Sequence, residues 1–393
     1  MQLQQSIAPY FRLRDDSRGI TINRLCACGA LLIGAVVLHG FRALVMTAMG
    51  VLGAALVELA WQFAAKRDMT VTDLSAVVTG MLCAFMLPAN ASVWLPFFAA
   101  AFAVGIVKLP FGGLGRSPFN PEAAGFCFAA VLCATTKSIY NRALLPADQR
   151  DIFDGLPDRY FAYIGGSLPG FSRVALSEND VGGVLSPLIS LRAGVDPKQT
   201  GADLLLGGML GPMGTTLVLV VAACAVWLFF RRSIAWQASA AFCASLAVLS
   251  LLFAWDDIPV LMSPVYDLLT GATLFAAVFL AGDVFTAPHF RTGRLLYGVG
   301  CGVLTMVIRR FGSIEGGEIF AVLLMNACSS SIDRLVWWCR ERGYSWTANI
   351  DKIKKKLRKA LKLKSGPFGD IDLDEIDFSV KSRKEDDKDG HEI

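Results

Sequence analysis

KLPFGGLGRSPFNPEAAG, residues 108–125, stands between two apolar runs where a membrane helix would otherwise continue. It holds four glycines, three prolines, Lys108, Arg116 and Asn120. Proline lacks an amide donor and glycine tolerates positive φ, so the backbone must leave the helix here. Beside a bilayer, non-helical backbone persists only where protein or a water-filled cavity satisfies its polar groups. An interrupted span in a multi-span protein therefore points to a functional site. An ordinary cytoplasmic loop accounts for the same glycines and prolines equally well.

The flanking sequence decides the class. Hydrophobic residues make up 54% of 393 and charged residues only 18%, with a mean hydropathy of +0.51; soluble domains carry about 25% charged residues. Apolar runs recur along the whole chain, so the expected fold is an all-α integral membrane protein, not a nucleic-acid binder. Ten cysteines mostly lie in or beside these runs, there are three histidines, and no C-x-x-C occurs. Neither a metal site nor a disulfide framework is supported, and free cysteines in such runs behave as small buried hydrophobes.

About ten spans are expected, at roughly 25–40, 42–64, 73–88, 91–108, 121–136, 204–230, 235–254, 262–282, 294–309 and 315–338. Several fall short of the ~20 residues that cross ~30 Å of hydrocarbon, which suits tilted or broken helices. Lys and Arg cluster from Arg12 to Arg24, at Lys66 and Arg67, at Lys108 and Arg116, at Arg231 and Arg232, at Arg291 and Arg294, and in the tail. By the positive-inside rule both termini are cytoplasmic; Arg309, Arg310 and Arg42 stand against the rule. The divisions are a cytoplasmic arm 1–24, a first membrane half 25–136, an extracytoplasmic loop 137–203, a second half 204–339 and a cytoplasmic tail 340–393. In the tail, Ile350, Ile353, Leu357 and Leu361 share a helical face among lysines. That pattern suits a helix on anionic membrane lipid, or a solvated charged helix.

DLSAVVTGMLCAFMLP from Asp73 echoes DLLTGATLFAAVFLAG from Asp267. Five spans separate the two, so copies would cross in opposite directions, as in an inverted repeat of five plus five; chance likeness of apolar stretches is the rival. Glu58, Asp73, Asp267 and Asp283 lie in or beside apolar runs, where ionised groups are expensive, and are candidate ion-path residues. Asp73 and Asp283 also suit helix capping. No arrangement of residues supports acid–base or nucleophilic catalysis, so no catalytic residue is assigned.

Four stretches resemble the NqrB/RnfD family of membrane subunits, found in the Rnf complex and in the sodium-pumping NADH:quinone reductase. They are TVTDLSAVVTGMLCAFMLP (70–88), FGGLGRSPFNPEAAG (111–125), SPVYDLLTGATLFAAVFLAGDVFTAP (263–288) and RRFGSIEGGEIFAVLLMNACSSSID (309–333). The resemblance is closer to the Rnf member. It implies a ten-helix core and a flavin-carrying subunit, in a bacterial inner membrane, within a six-subunit oxidoreductase that moves Na⁺ or H⁺. It also implies FMN, attached by a flavin transferase to a threonine in an A-T-P-L-like segment, and riboflavin or a second, non-covalent flavin. The matching residues are Leu185-Ser186-Pro187-Leu188, with Ser186 as acceptor. Thr273 is a second candidate, because Asp267 to Thr273 fits the flavinylation pattern D-x-x-S/T-G-A-T. It would lie roughly 15 Å along a continuous eighth helix, and Thr270, Gly271 and Ala272 equally suit close helix packing. Thr215 replaces a glutamate usual in the family. A bound flavin would carry the redox chemistry itself, with Gly112 and Gly113 offering amides, Asn120 a hydrogen bond and Phe111 and Phe119 stacking, unless these phenylalanines simply pack between helices. A small-solute channel with a urea-channel-like fold and a flavin-free assembly scaffold are the alternatives.

Overall fold

A computed structural model describes residues 17–66, 73–88, 91–134, 188, 191, 204–205, 211–255, 258–311 and 317–341. Ser186, nearly all of the 137–203 loop and the tail beyond 341 lie outside the described residues. The chain divides into two units, Met1–Trp337 and Trp338–Ile393; the described part of the second is the end of the last helix.

The first half holds α1 (Ser17–His39), α2 (Phe41–Ala65), α3 (Ser75–Phe85), α4 (Leu95–Phe102) and α5 (Pro121–Ala134). The second holds α6 (Val218–Phe230), α7 (Trp236–Leu252), α8 (Ser263–Leu269), α9 (Thr273–Phe275), α10 (Arg291–Phe311) and α11 (Gly317–Glu341). Two wide π-helical turns occur: Ala103–Lys108 continues α4, and Ala276–Ala281 continues α9. Among the described residues there is no strand, only an isolated bridge between Pro88 and Pro212. The membrane class stands: α1, α2 and α11 are long and apolar enough to cross a bilayer, and α8 with α9 would make a fourth crossing bent by 65°.

Two expected spans take a different form. The run expected at 204–230 becomes helical only at Val218 in the described segment after 211. Before it, Gly211 to Thr216 fold as a turn against the end of α3, where the amides of Met213 and Gly214 donate to Leu87 O and Phe85 O, both at 3.0 Å. Those carbonyls are the ones a helix end leaves unsatisfied. The span expected at 262–282 is not continuous either. Thr270 is extended and Gly271 sits at φ +67°, so the chain leaves α8 and restarts as α9.

Small residues set how closely the helices approach. A Cβ on Gly50 of α2 would lie 2.5 Å from Gly80 O of α3, and one on Gly125 of α5 would lie 2.7 Å from Ala99 O of α4. Without a hydrophobic force between helices in lipid, the van der Waals packing that such close approach allows is one source of attraction. In the second half α10 packs along α7 through Gly298 and Gly302.

Candidate functional site

Helices that end or break inside an apolar bundle expose carbonyls and amides that need partners. Charged side chains supply them at both ends of this molecule.

At one end three charged groupings meet. Arg24, 6% exposed on α1, bonds Asp283 Oδ1 at 2.9 Å and the carbonyl of Phe279 at 3.0 Å. That carbonyl lies in the π-turn ending at Ala281, and Arg24 supplies it with a donor. Asp283 also accepts from the amide of Phe285 at 3.2 Å and the hydroxyl of Thr286 at 3.2 Å, which caps the turn after α9. Lys108, at the end of the other π-turn, donates to Ser75 Oγ at 2.7 Å and lies 3.6 Å from Glu58 Oε2. Glu122, in the first turn of α5, accepts from Thr79 Oγ1 at 3.1 Å.

The 108–125 junction closes this end. Gly112, Gly113 and Gly115 all have positive φ, and Gly115 reaches within 3.4 Å of Phe285, counting from where a Cβ would sit. Asn120 is wholly buried and caps α5, its Oδ1 accepting from the Ala123 amide at 3.0 Å. Phe111 is half exposed and Phe119 partly buried.

The other end is built around Arg309, which has no exposed surface. It donates to the carbonyls of Asp267 (2.5 Å) and Thr270 (3.0 Å) and to the hydroxyl of Thr273. Its guanidinium also lies 3.7 Å from Asp267 Oδ1 and 3.4 Å from Glu318 Oε2. Glu318 Oε1 takes the Ala272 amide at 2.6 Å, so one residue bridges the broken helix and its cation. Asp267 is also 3.8 Å from Arg310, whose guanidinium lies 3.6 Å over the ring of Trp255. Ser250 donates to Asp267 at 2.5 Å.

The two ends repeat one plan. In each half, a buried cation at the end of the fourth helical stretch reaches the start of the third (Lys108 to Ser75, Arg309 to Asp267). In each half, a glutamate in the first turn of the fifth faces the third (Glu122 to Thr79, Glu318 to Ala272). Along α10, Arg291 and Arg309 are separated by about 27 Å of helix.

Of the residues singled out in the sequence, Glu58, Asp267 and Asp283 are buried in these groupings. Asp73 is exposed just ahead of α3. Thr273 is 1% exposed, and its hydroxyl is held by Arg309 and by the carbonyls of Asp267 and Thr270. Thr215, 3% exposed, donates to Pro212 O at 3.2 Å within the turn. Sequence reasoning missed Glu122 and Glu318, and read Arg24, Lys108 and Arg309 only as topology signals. Arg309 and Arg310 as exceptions to the charge rule, and a glutamate directly after Pro121, were the available signals.

Compared with known proteins, residues 4–339 match the model of the NQR2, RnfD, RnfE family. The D subunit of the Na⁺-translocating ferredoxin:NAD⁺ oxidoreductase complex of Acetobacterium woodii is 29% identical, over 91% of this chain and 99% of that protein. The D subunit of the ion-translocating oxidoreductase complex of Pseudomonas aeruginosa is 32% identical, over 88% of this chain and 96% of that one. Its namesake from Citrobacter koseri is 34% identical, over 69% and 78%.

Proposed function

Because the chain belongs to the NQR2, RnfD, RnfE family, we propose that it is the D-type membrane subunit of an ion-translocating oxidoreductase complex. Likeness over nearly the full length of such subunits is the observation that carries this reading. The complex would pass electrons between ferredoxin and NAD⁺ and couple them to Na⁺ or H⁺ movement, with the other subunits as partners.

Ten spans in two inverted halves, with both termini cytoplasmic, follow from this reading. The repeated plan of cation, broken or ending helix and first-turn glutamate supports the inverted repeat. It also bears on Arg309, one of the charge-rule exceptions. Arg309 is neutralised inside the protein and is not a loop charge.

FMN carried on Ser186 is part of the proposal. Leu188, two residues further on, is buried with Leu191 against Trp255 and Ile258. Thr273 does not fit as an acceptor, since its hydroxyl is buried and already bonded. A second, non-covalent flavin is assigned to the Gly112–Gly113 turn, where Gly113 has nothing within 4 Å of its Cβ direction and Phe111 is half exposed. Bound flavin would supply one- and two-electron redox chemistry there.

The test has two parts. Inside-out vesicles should take up Na⁺ or H⁺ when reduced ferredoxin and NAD⁺ are added, and deletion of this chain should abolish uptake. Undiminished uptake after deletion, or solute conduction by the purified chain alone, would sink the reading. The denatured chain, co-expressed with a flavin transferase, should fluoresce in gels under ultraviolet light; Ser186→Ala should be dark and Thr273→Val should not.

A further inference from the structure

The buried charges at the Arg24 end do not balance. Arg24 is committed to Asp283, and Lys108 lies against Glu58. Glu122 remains, 4% exposed, with no ion pair among the described residues. Its Oε1 accepts from Thr79, while Oε2 is fully buried with no hydrogen-bond partner among the described residues. The Nδ2 donor of Asn120, two residues earlier, is in the same condition.

The other half shows what a settled carboxylate looks like at the corresponding place. Glu318 bonds a backbone amide through one oxygen and meets Arg309 through the other. Glu122 has the same position in its helix without the cation. A buried ionised carboxylate without a partner is strongly disfavoured, and the helix N-terminus offsets only part of that penalty.

We propose that Glu122 is an exchangeable monovalent-cation site, its carboxylate taking up H⁺ or Na⁺ between α3 and α5. In the proton case, Oε2 gains an O–H bond to a proton drawn from water and returns it on release, with no change in oxidation state. The groups in electrostatic reach are Arg24 and Cys28 of α1, Cys83 of α3, Lys108 after α4 and Asp283 after α9. With Glu58 added, these charged residues sum to one net negative charge, which a single monovalent cation cancels. A divalent ion is not favoured, since among the described residues no three His, Cys, Asp or Glu are placed to hold a metal ion together. A transport role for this site rests on the ion-translocating reading above; its cation occupancy does not.

Dicyclohexylcarbodiimide, which couples to protonated buried carboxyls, tests the site on the full-length chain in the assembled complex, with peptides mapped by mass spectrometry. Glu122 should be modified well beyond Glu318, and above its midpoint the labelling should fall about tenfold per pH unit, as for a single titrating group. Protection by Na⁺ but not K⁺ would identify a Na⁺ site; indifference to Na⁺ would identify a proton site. Labelling of Glu122 no greater than that of Glu318, at every pH, would overturn the proposal. Glu122→Gln, which still accepts from Thr79, should abolish ion uptake in vesicles that retain the assembled complex. Wild-type uptake in that variant would overturn the transport role while leaving the function of the complex intact. Cation-sensitive labelling in wild-type vesicles that move no ion would leave the site standing and sink the functional reading instead.

Discussion

Arg309 ties together the broken helix α8–α9 and the start of α11. Its two terminal nitrogens serve two carbonyls, a hydroxyl and two carboxylates. Arg309→Met would leave Asp267 and Glu318 as buried charges without this cation, a class of change that costs about 3–5 kcal/mol. The variant should show a sharply lower unfolding midpoint in detergent. Arg309→Lys should recover only part of the loss, since one ammonium cannot reproduce the planar fork. Adding Glu318→Gln to Arg309→Met should restore some stability by removing one uncompensated charge; a double variant as unstable as the sum of the singles would refute the pairing.

At the scale of elements, the break between α8 and α9 and the crossings at glycine are where substitution should be felt. Gly271 has φ +67°, and a Cβ there would lie 2.9 Å from Arg309 Nη2 and 3.0 Å from Glu318 Oε1. Gly271→Ala should therefore destabilise by more than the ~1 kcal/mol a strain-free Gly→Ala change gains, and the lowered melting midpoint would show it. Gly80 crosses the backbone of Gly50 and Val51, with contacts of 2.6–2.8 Å from its Cβ direction. Gly80→Val should push α2 and α3 apart at a cost of about 1–3 kcal/mol or more, and size-exclusion profiles should report aggregation. A wild-type profile would mean the two helices are free to separate.

For the whole molecule, the prediction concerns sidedness. Phe111, in the 108–125 junction, and Leu261, between α7 and α8, are 50% and 76% exposed. With Arg24, Lys108 and Asp283 at one end and Asp267 and Arg309 at the other, the proposed inverted arrangement predicts that the two loops face opposite sides of the membrane. Phe111→Cys should react with an impermeant maleimide only from the cytoplasmic side, and Leu261→Cys only from outside. Reaction of both from one side would refute the inverted arrangement. Arg309→Gln should leave this pattern unchanged, because a cation neutralised within the protein does not orient the chain.

Composition and apolar runs were enough to establish a helical membrane protein, and local patterns marked the junction at 108–125 and the acidic residues Glu58, Asp267 and Asp283. These features are written in single stretches, because transfer to lipid and the loss of helix at proline and glycine depend on neighbouring residues alone. Which charges neutralise each other was not legible. Arg24 and Asp283 lie 259 positions apart in the chain, and Arg309 and Asp267 lie 42 apart. Only packing decides that Arg24 goes to Asp283 and leaves Glu122 without an ion pair among the described residues, and that Gly271 ends a helix which the sequence would continue. Burial and pairing are properties of several helices at once, so tertiary structure alone separates a locked carboxylate such as Glu318 from an open one such as Glu122.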